Sequence, residues 1–495
     1  MFSQIVSWLL QASFIFNILF AAVVIFSERR NPSVTWAWLM VVILVPYFGF
    51  ALYMLIGMEG RKYRTFAGKH RQNAKMILEI EEKNLAGLNF TREPAKSEYI
   101  DKFKEMLHAR HISDLLYLNF TSGGGYLTQN NKADILTDGE AKFSVLLDDI
   151  KNAESFIHIQ YYIFRNDDIG RKLVQALAQK ARQGVEVKLL LDGMGNFRTS
   201  KRIFRPLLEA GGQLGVFLPP RFIRINFQNH RKLCVIDGKI GYIGGFNVGD
   251  EYMGRVKRFG MWRDLHMRFF GDAAKELELQ FMMDWNFARP RNKIEACDKY
   301  FPHIPMDFSE EKQGPLVQII SGGPDTKWAN IYNGISKMIS EANESICIQT
   351  PYFVPDMNIF ESLRIAALSG IDVRIMIPAN PDHPFVKPCS MSYLGELMEA
   401  GVKCYEYTNG FIHSKMLIID DIAASVGTTN MDIRSFKLNF EINAFIFDPH
   451  TTARLKEQFG HDLAHCREIT MEDYRRRSVW QKIKEALSRL LSPLL

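Results

Sequence analysis

The chain opens on two long apolar runs. Residues 1–27 carry no charged side chain, and neither do residues 31–58. Each is about long enough to cross a ~30 Å hydrocarbon core at about 1.5 Å of rise per residue. Only the short link SERRNPS separates them, so the pattern predicts a hairpin of two transmembrane helices over residues 1–60, with Pro46 placed to kink the second. A cleaved leader fits poorly, because no basic stretch precedes the first run and a second run follows at once. Residues 61–75 then carry six Lys or Arg and no acid, whereas the link carries Arg29 and Arg30 offset by Glu28. The positive-inside rule puts everything after residue 60 in the cytoplasm. The basic run, in a juxtamembrane linker over residues 61–94, is expected to meet anionic lipid.

Beyond the linker the pattern is written twice. SFIHIQYYIFRNDDIGRKLVQALAQKARQGVEVKLLLD, from Ser155, and ESICIQTPYFVPDMNIFESLRIAALSGIDVRIMIP, from Glu344, both read strand, loop, helix with apolar 3–4 spacing, then a second apolar strand. That is a βαβ grammar and an α/β fold. The turn-rich stretch TSGGGYLTQNNKADILTDG is placed at the edge of the first unit. The polar, Pro-containing residues 289–315 are read as the joint between units. The expected body is a first half over residues 95–300 and a second over 301–470. Residues 471–495 form a tail whose Val479, Trp480, Ile483, Leu487, Leu490 and Leu491 share one helical face. Such a helix suits either a membrane interface or a dock on the protein core.

Each unit leads to a strand interrupted by polar residues: NHRKLCVID (229–237) and IHSKMLIID (412–420). Side chains two apart on a strand face the same way, so each strand sets an imidazole beside an ammonium. His230, Lys232 and Asp237 match His413, Lys415 and Asp420, giving H-x-K-x4-D in both. Gly244 and Gly427 each follow the histidine by 14 residues, and Asn247 and Asn430 by 17. A single buried histidine is most often a satisfied core residue. A duplicated constellation at fixed offsets inside duplicated βαβ contexts is a site.

If the halves pack about a pseudo-twofold axis, two imidazoles, two ammoniums and two amides converge. A cationic cluster with directed donors suits a phosphoryl group. One histidine can attack phosphorus and form a phosphohistidine, while the other protonates the departing alkoxide and deprotonates the incoming hydroxyl. A nucleophilic imidazole needs its second nitrogen held by an acceptor. Asp264, 34 residues after His230, and Glu441, 28 after His413, are the candidates, one downstream in each half. The six H-x-K-x4-D residues form the expected catalytic set. Within it, Asp237 and Asp420 stand at an odd offset and are expected to support rather than react. No H-E-x-x-H, carboxylate cluster or P-loop is present, so neither a metal nor a nucleotide cofactor is expected.

Composition adds little. The net charge of +6 permits anionic partners without choosing among them. The six cysteines form no CxxC or zinc-like pattern and read as reduced thiols.

Through both HKD motifs with their trailing Gly and Asn, the sequence resembles the phospholipase D superfamily over roughly residues 95–470. YYIFRNDDIGRK, DGMGN, TPYFVPD, IGGFNVGDEY, FIHSKMLIID, VGTTNMDIRSF and the tail RLLSPLL, with the tandem apolar runs, resemble the bacterial cardiolipin synthases within it. The resemblance implies a multi-pass bacterial membrane protein that moves a phosphatidyl group from one phosphatidylglycerol to another. It implies that His230 is the nucleophile and His413 the acid–base. The two halves depart from each other at one position: Gly245 in the first stands where the second has Thr428, so their phosphate contacts are expected to differ. A hydrolytic, membrane-bound phospholipase D would carry the same motifs. A nucleic-acid phosphodiesterase would have no use for two apolar spans, and a dead scaffold no use for all six HKD residues, so no nucleic-acid partner is expected.

Overall fold

The computed structural model describes residues 16–26, 32–45, 47–53, 61–83, 110–219, 226–304 and 314–490. Two mixed sheets run through it in the same order. In the first, strands follow one another as Asn131–Asp138, Trp262–Gly271, Ile240–Gly244, Leu233–Ile236, Phe156–Tyr161, Glu186–Asp192 and Gln213–Phe217. In the second the order is Leu316–Gly322, Glu441–Phe447, Ala423–Gly427, Met416–Ile419, Ser345–Gln349, Asp372–Pro378 and Lys403–Tyr407, closed by Cys466–Ile469. The βαβ units are parallel pairs, as their helical crossovers require. The HKD strands pair antiparallel beside them. The fold is therefore α/β, in two equivalent halves. The turn-rich stretch before residue 139 divides between them: Asn131–Asp138 pairs with the first sheet, and Leu127–Thr128 with the second.

Period-two alternation places the layers. On the first HKD strand Leu233 and Val235 enter a core shared by both halves, while Cys234 and Ile236 join the outer core under helices Gly139–Asn152 and Asp168–Arg182. Met416 and Ile418 enter the shared core from the second half, while Leu417 and Ile419 face its outer helices. Helix Asp272–Ala288 runs between the sheets, buried from Ala273 to Asn286. Helices begin where an aspartate accepts from a free N–H: Asp138, Asp167, Asp356 and Asp448 each cap one, worth about 1 kcal/mol apiece.

Helix Arg61–Lys83 departs from the expected lipid-facing basic segment along one face. Phe66, Lys69, Met76 and Ile80 are buried, with Phe66 edge-on to Phe227 and Phe440. Lys69 Nζ meets Asp325 at 2.7 Å and Asp284 at 3.2 Å. The apolar face of this helix thus docks where the halves meet, while Lys75 stays exposed.

Among the described residues, no helix is long and apolar enough to cross a membrane. Parts of both expected spans lie outside the described residues. Within them, helices 16–26 and Pro32–Leu44 pack together with Phe48–Leu52 through Val24, Leu39, Val42 and Tyr53.

Candidate active site

The chain just before each HKD strand crosses to the other half. Phe411–Ile412 adds a short parallel strand to Trp262–Gly271, and His413 N–H donates to Arg263 O at 2.7 Å. Asn229 bridges Phe440 in the same sense, and His230 N–H donates to Phe440 O at 2.9 Å. Each histidine is thereby laid against the start of a strand of the opposite sheet, one residue from the carboxylate there.

The orienting pairs are consequently crossed. His230 Nδ1 lies 3.0 Å from both oxygens of Glu441, and His413 Nδ1 lies 2.7 Å from Asp264 Oδ2. The expectation that each half would supply its own carboxylate is corrected: offsets along the chain could not reveal that the preceding residues change sheets. Both carboxylates are fully buried. Burial raises the Asp264 carboxyl, but Lys415 and His413 outweigh it and leave the group lowered. Burial likewise opposes Glu441, which His230 and Lys232 hold below its ordinary value. Burial pulls both imidazoles down to about 4, against the upward pull of their carboxylates.

Both rings line one cavity of about 530 Å³. His230 stands edge-on to Tyr162, with centroids 4.9 Å apart, and His413 packs against Trp262 at 5.2 Å. Lys232 Nζ donates to His230 O at 2.5 Å and sits 5.3 Å from the Tyr162 ring centre. Lys415 Nζ likewise donates to His413 O. Burial lowers both ammoniums, Lys415 to about 8. Asn247 and Asn430 line the same cavity. Asn247 Oδ1 accepts from Ile163 N–H and its amide donates to the Tyr252 hydroxyl; Asn430 Oδ1 has no partner among the described residues.

Asp237 and Asp420 do not join this set. Each begins a turn at left-handed φ, 54° and 49°. Asp237 accepts from the N–H groups of Glu154, Ser155 and Phe156 at 2.7–2.9 Å. Asp420 does the same for Asn343, Glu344 and Ser345, also at 2.7–2.9 Å. They fasten the start of the neighbouring strand, so grouping them with the catalytic residues is corrected. Five residues beyond the lysine, past the strand end, neither can turn back to the cavity.

The Gly245/Thr428 departure acts on the carboxylates, whereas a difference in phosphate contacts was expected. Thr428 Oγ1 donates to Glu441 Oε2 at 2.5 Å, and Asn439 donates to Oε1 at 3.2 Å. Gly245 lies against Asp264, with no room for a Cβ. Asp264 Oδ1 instead accepts from Leu265 N–H at 2.8 Å.

Sequence reasoning missed several lining residues. Tyr162 and Tyr352 stand beside the two histidines, and the duplicated Ile-Gln before each of them was an available signal. Arg434, which donates to Asn226 O at 3.1 Å, and Asp382, which accepts from the Tyr352 hydroxyl at 2.7 Å, have no counterpart in the other half to flag them. Behind the lining, Arg231, hidden inside the first H-x-K, reaches Asp284 at 2.7 Å, Glu441 O at 3.0 Å and Gly322 O at 3.1 Å.

Known proteins share this plan. The model of the cardiolipin synthase, PLD-like domain matches residues 146–285 and 335–463, and that of the phospholipase D-nuclease N-terminal region matches 15–57. A cardiolipin synthase of Staphylococcus aureus (strain Mu50 / ATCC 700699) is 47% identical over 488 residues, covering 98% of this chain and 96% of the relative. One from Listeria monocytogenes serotype 4a is 43% identical over 500 residues, covering 99% and 100%. The crystal structure of a phosphatidylserine synthase from Haemophilus influenzae Rd KW20 superposes with a TM-score of 0.61 at 13% identity, over 77% of this chain and 100% of that one, a likeness of fold alone. With two matched PLD-like segments and relatives aligned nearly end to end, the chain belongs to the cardiolipin synthase family of phospholipase D-like proteins.

Proposed function

We infer that the protein is a cardiolipin synthase that joins two phosphatidylglycerols through a phosphohistidine. The observation that carries this is the pair of histidines on one cavity, each held through Nδ1 by a buried carboxylate, in a chain of the cardiolipin synthase family. His230 Nε2 bonds to phosphorus as the P–O bond to glycerol breaks, and His413 gives its proton to the departing oxygen. The phosphodiester's negative charge, arriving beside His413, raises the proton affinity that burial had lowered. Lys232, Lys415, Asn247 and Asn430 face the nonbridging oxygens. A hydroxyl of a second phosphatidylglycerol then gives its proton to His413 as its oxygen bonds to phosphorus and the P–N bond breaks. One phosphodiester replaces another, so no nucleotide enters.

Two asymmetries support His230 as nucleophile. Thr428 and Asn439 draw charge from Glu441, which leaves His230 the weaker hold on a proton. Asp264 spends its undivided Oδ2 on His413 at 2.7 Å, which suits the residue that carries the proton. The cavity wall also differs: Asp382 and the Tyr352 hydroxyl stand on the His413 side, where a polyol leaves and enters, and Arg434 reaches Asn226, four residues before His230. The apolar N-terminal runs cross the membrane as a hairpin, with the body on the cytoplasmic side among anionic lipids. There, concentrated lipid hydroxyls outcompete water as acceptor.

Purified full-length protein given phosphatidylglycerol is expected to yield cardiolipin and glycerol. Phosphatidic acid without cardiolipin would establish the hydrolase instead. His230→Ala and His413→Ala each abolish turnover in folded protein, and a rapid alkaline quench with mass mapping finds the phosphatidyl adduct on His230.

A further inference from the structure

We propose that the terminal helix Val479–Leu490 is clamped to the body by its polar face so that its apolar face lies on an anionic bilayer beside the cavity mouth, an inference that rests on the reading of this protein as a lipid enzyme.

An amphipathic helix on a protein surface normally turns its apolar side inward. Here the sides are reversed. Val479, Trp480, Ile483, Leu487 and Leu490 are 73%, 64%, 41%, 59% and 77% exposed, whereas Glu485 and Ser488 are buried. At about 100° per residue the five apolar positions span roughly 100° of arc. The polar side is fixed by specific bonds. Arg489 Nη1 meets Glu396 at 2.5 Å and Ser392 O at 3.3 Å, with its guanidinium 4.5 Å from the Tyr393 ring centre. Glu485 pairs with Arg477, which stacks on Tyr474, and Tyr474 lies on Gly395, where no Cβ would fit. These contacts stop the helix from rolling its apolar face inward.

Charge and position name the occupant. Lys482 and Lys484 flank the apolar arc on its two sides, the placement that lets ammoniums reach headgroups while the arc enters the acyl boundary. The helix sits on Val386–Glu399, and the first residue of that helix, Val386, lines the catalytic cavity. Its neighbour Phe385 is 53% exposed at the same end. A bilayer under the terminal helix would therefore lie next to the opening through which a lipid headgroup must enter. A second copy of the chain would not call for lysines on both flanks.

The test uses full-length protein reconstituted in vesicles of phosphatidylglycerol and phosphatidylcholine, compared with monomeric short-chain phosphatidylglycerol in solution. Trp480→Ala/Ile483→Ser/Leu487→Ser is expected to slow turnover of vesicle lipid by about tenfold or more while leaving short-chain turnover unchanged, since it removes apolar burial at the dock but nothing at the cavity. Brominated phosphatidylcholine is expected to quench a fluorescence component that Trp480→Phe removes. Equal vesicle rates, or no quenching of Trp480, would overturn the proposal. So would a dimer in detergent that the triple variant dissociates, which would make the occupant a second copy. Absence of phosphatidyl transfer by the unaltered protein even on short-chain substrate would instead count against the functional reading, a distinguishable result.

Discussion

The smallest change with the largest expected effect is at Gly245. Its missing side chain leaves room for Asp264, which orients His413 in the other half. Gly245→Ala displaces that carboxylate and is expected to lower turnover by about 10²-fold or more, the scale of a lost acid–base residue, and to cost about 1–3 kcal/mol of stability, the scale of an overpacked buried site. Thr428→Gly removes only one donor from Glu441 and is expected to cost about tenfold. Initial rates beside melting curves check both. Lys415 supplies a test by pH. Burial lowers its ammonium to about 8, and only the protonated form neutralises a phosphodiester. The ratio kcat/KM on short-chain phosphatidylglycerol therefore falls more steeply as pH rises through about 8, beyond the slope that His413 sets from about 4 upward, and a steepening only near pH 10 would contradict the assignment. The histidines, lysines and asparagines were legible in the chain because duplication repeats their offsets. Asp264 and Glu441 were legible as candidates but not as partners. Their pairing depends on two short crossings, Phe411–Ile412 and Asn229, that no local pattern marks.

At the scale of elements, the two sheets with one strand order follow from the repeated strand–helix–strand pattern and its antiparallel HKD strands. Helix Arg61–Lys83 did not follow. Six positive charges in fifteen residues read as a solvated or lipid-facing segment. The deciding residue is Lys69, whose partners Asp284 and Asp325 lie more than 200 positions away. A lysine bound for burial looks, in sequence, like any other. The docked helix ties the end of the apolar hairpin to the joint between the halves, where Asp284 also meets Arg231. Lys69→Met strands buried Asp325 and leaves Asp284 to Arg231, and it is expected to cost about 3–5 kcal/mol, the scale of a buried pair broken from one side. Lys75→Met, on the exposed face, is expected to change stability by less than about 0.5 kcal/mol. Chemical denaturation of the two variants in the same detergent separates the structural reading of this helix from a purely lipid-facing one.

For the whole molecule, crossing the carboxylates means that neither half alone holds its histidine through Nδ1. His230 needs Glu441 from the second half, and His413 needs Asp264 from the first. Buried charges rivet the same joint: Arg231 spans Asp284 in its own half and the backbone of Glu441 and Gly322 in the other, and Arg263 reaches Asp462 at 2.6 Å. The placement of the two histidines and the cohesion of the halves therefore rest on one set of contacts. Turnover is expected to vanish with the first unfolding transition in denaturant, with no active species in which one half has melted. Arg231→Met, which leaves the cavity lining untouched but takes from Asp284 its nearer cation and from Glu441 O and Gly322 O their donor, is expected to shift the midpoints of activity and of unfolding down together, by about 3–5 kcal/mol in stability. Arg231→Lys is expected to recover little of it, since one ammonium cannot span the three acceptors that a planar guanidinium joins. Activity followed beside intrinsic fluorescence decides the matter. A variant whose halves separate while turnover persists would mean that each histidine finds its acceptor at home, and the crossed pairing would no longer account for the chemistry.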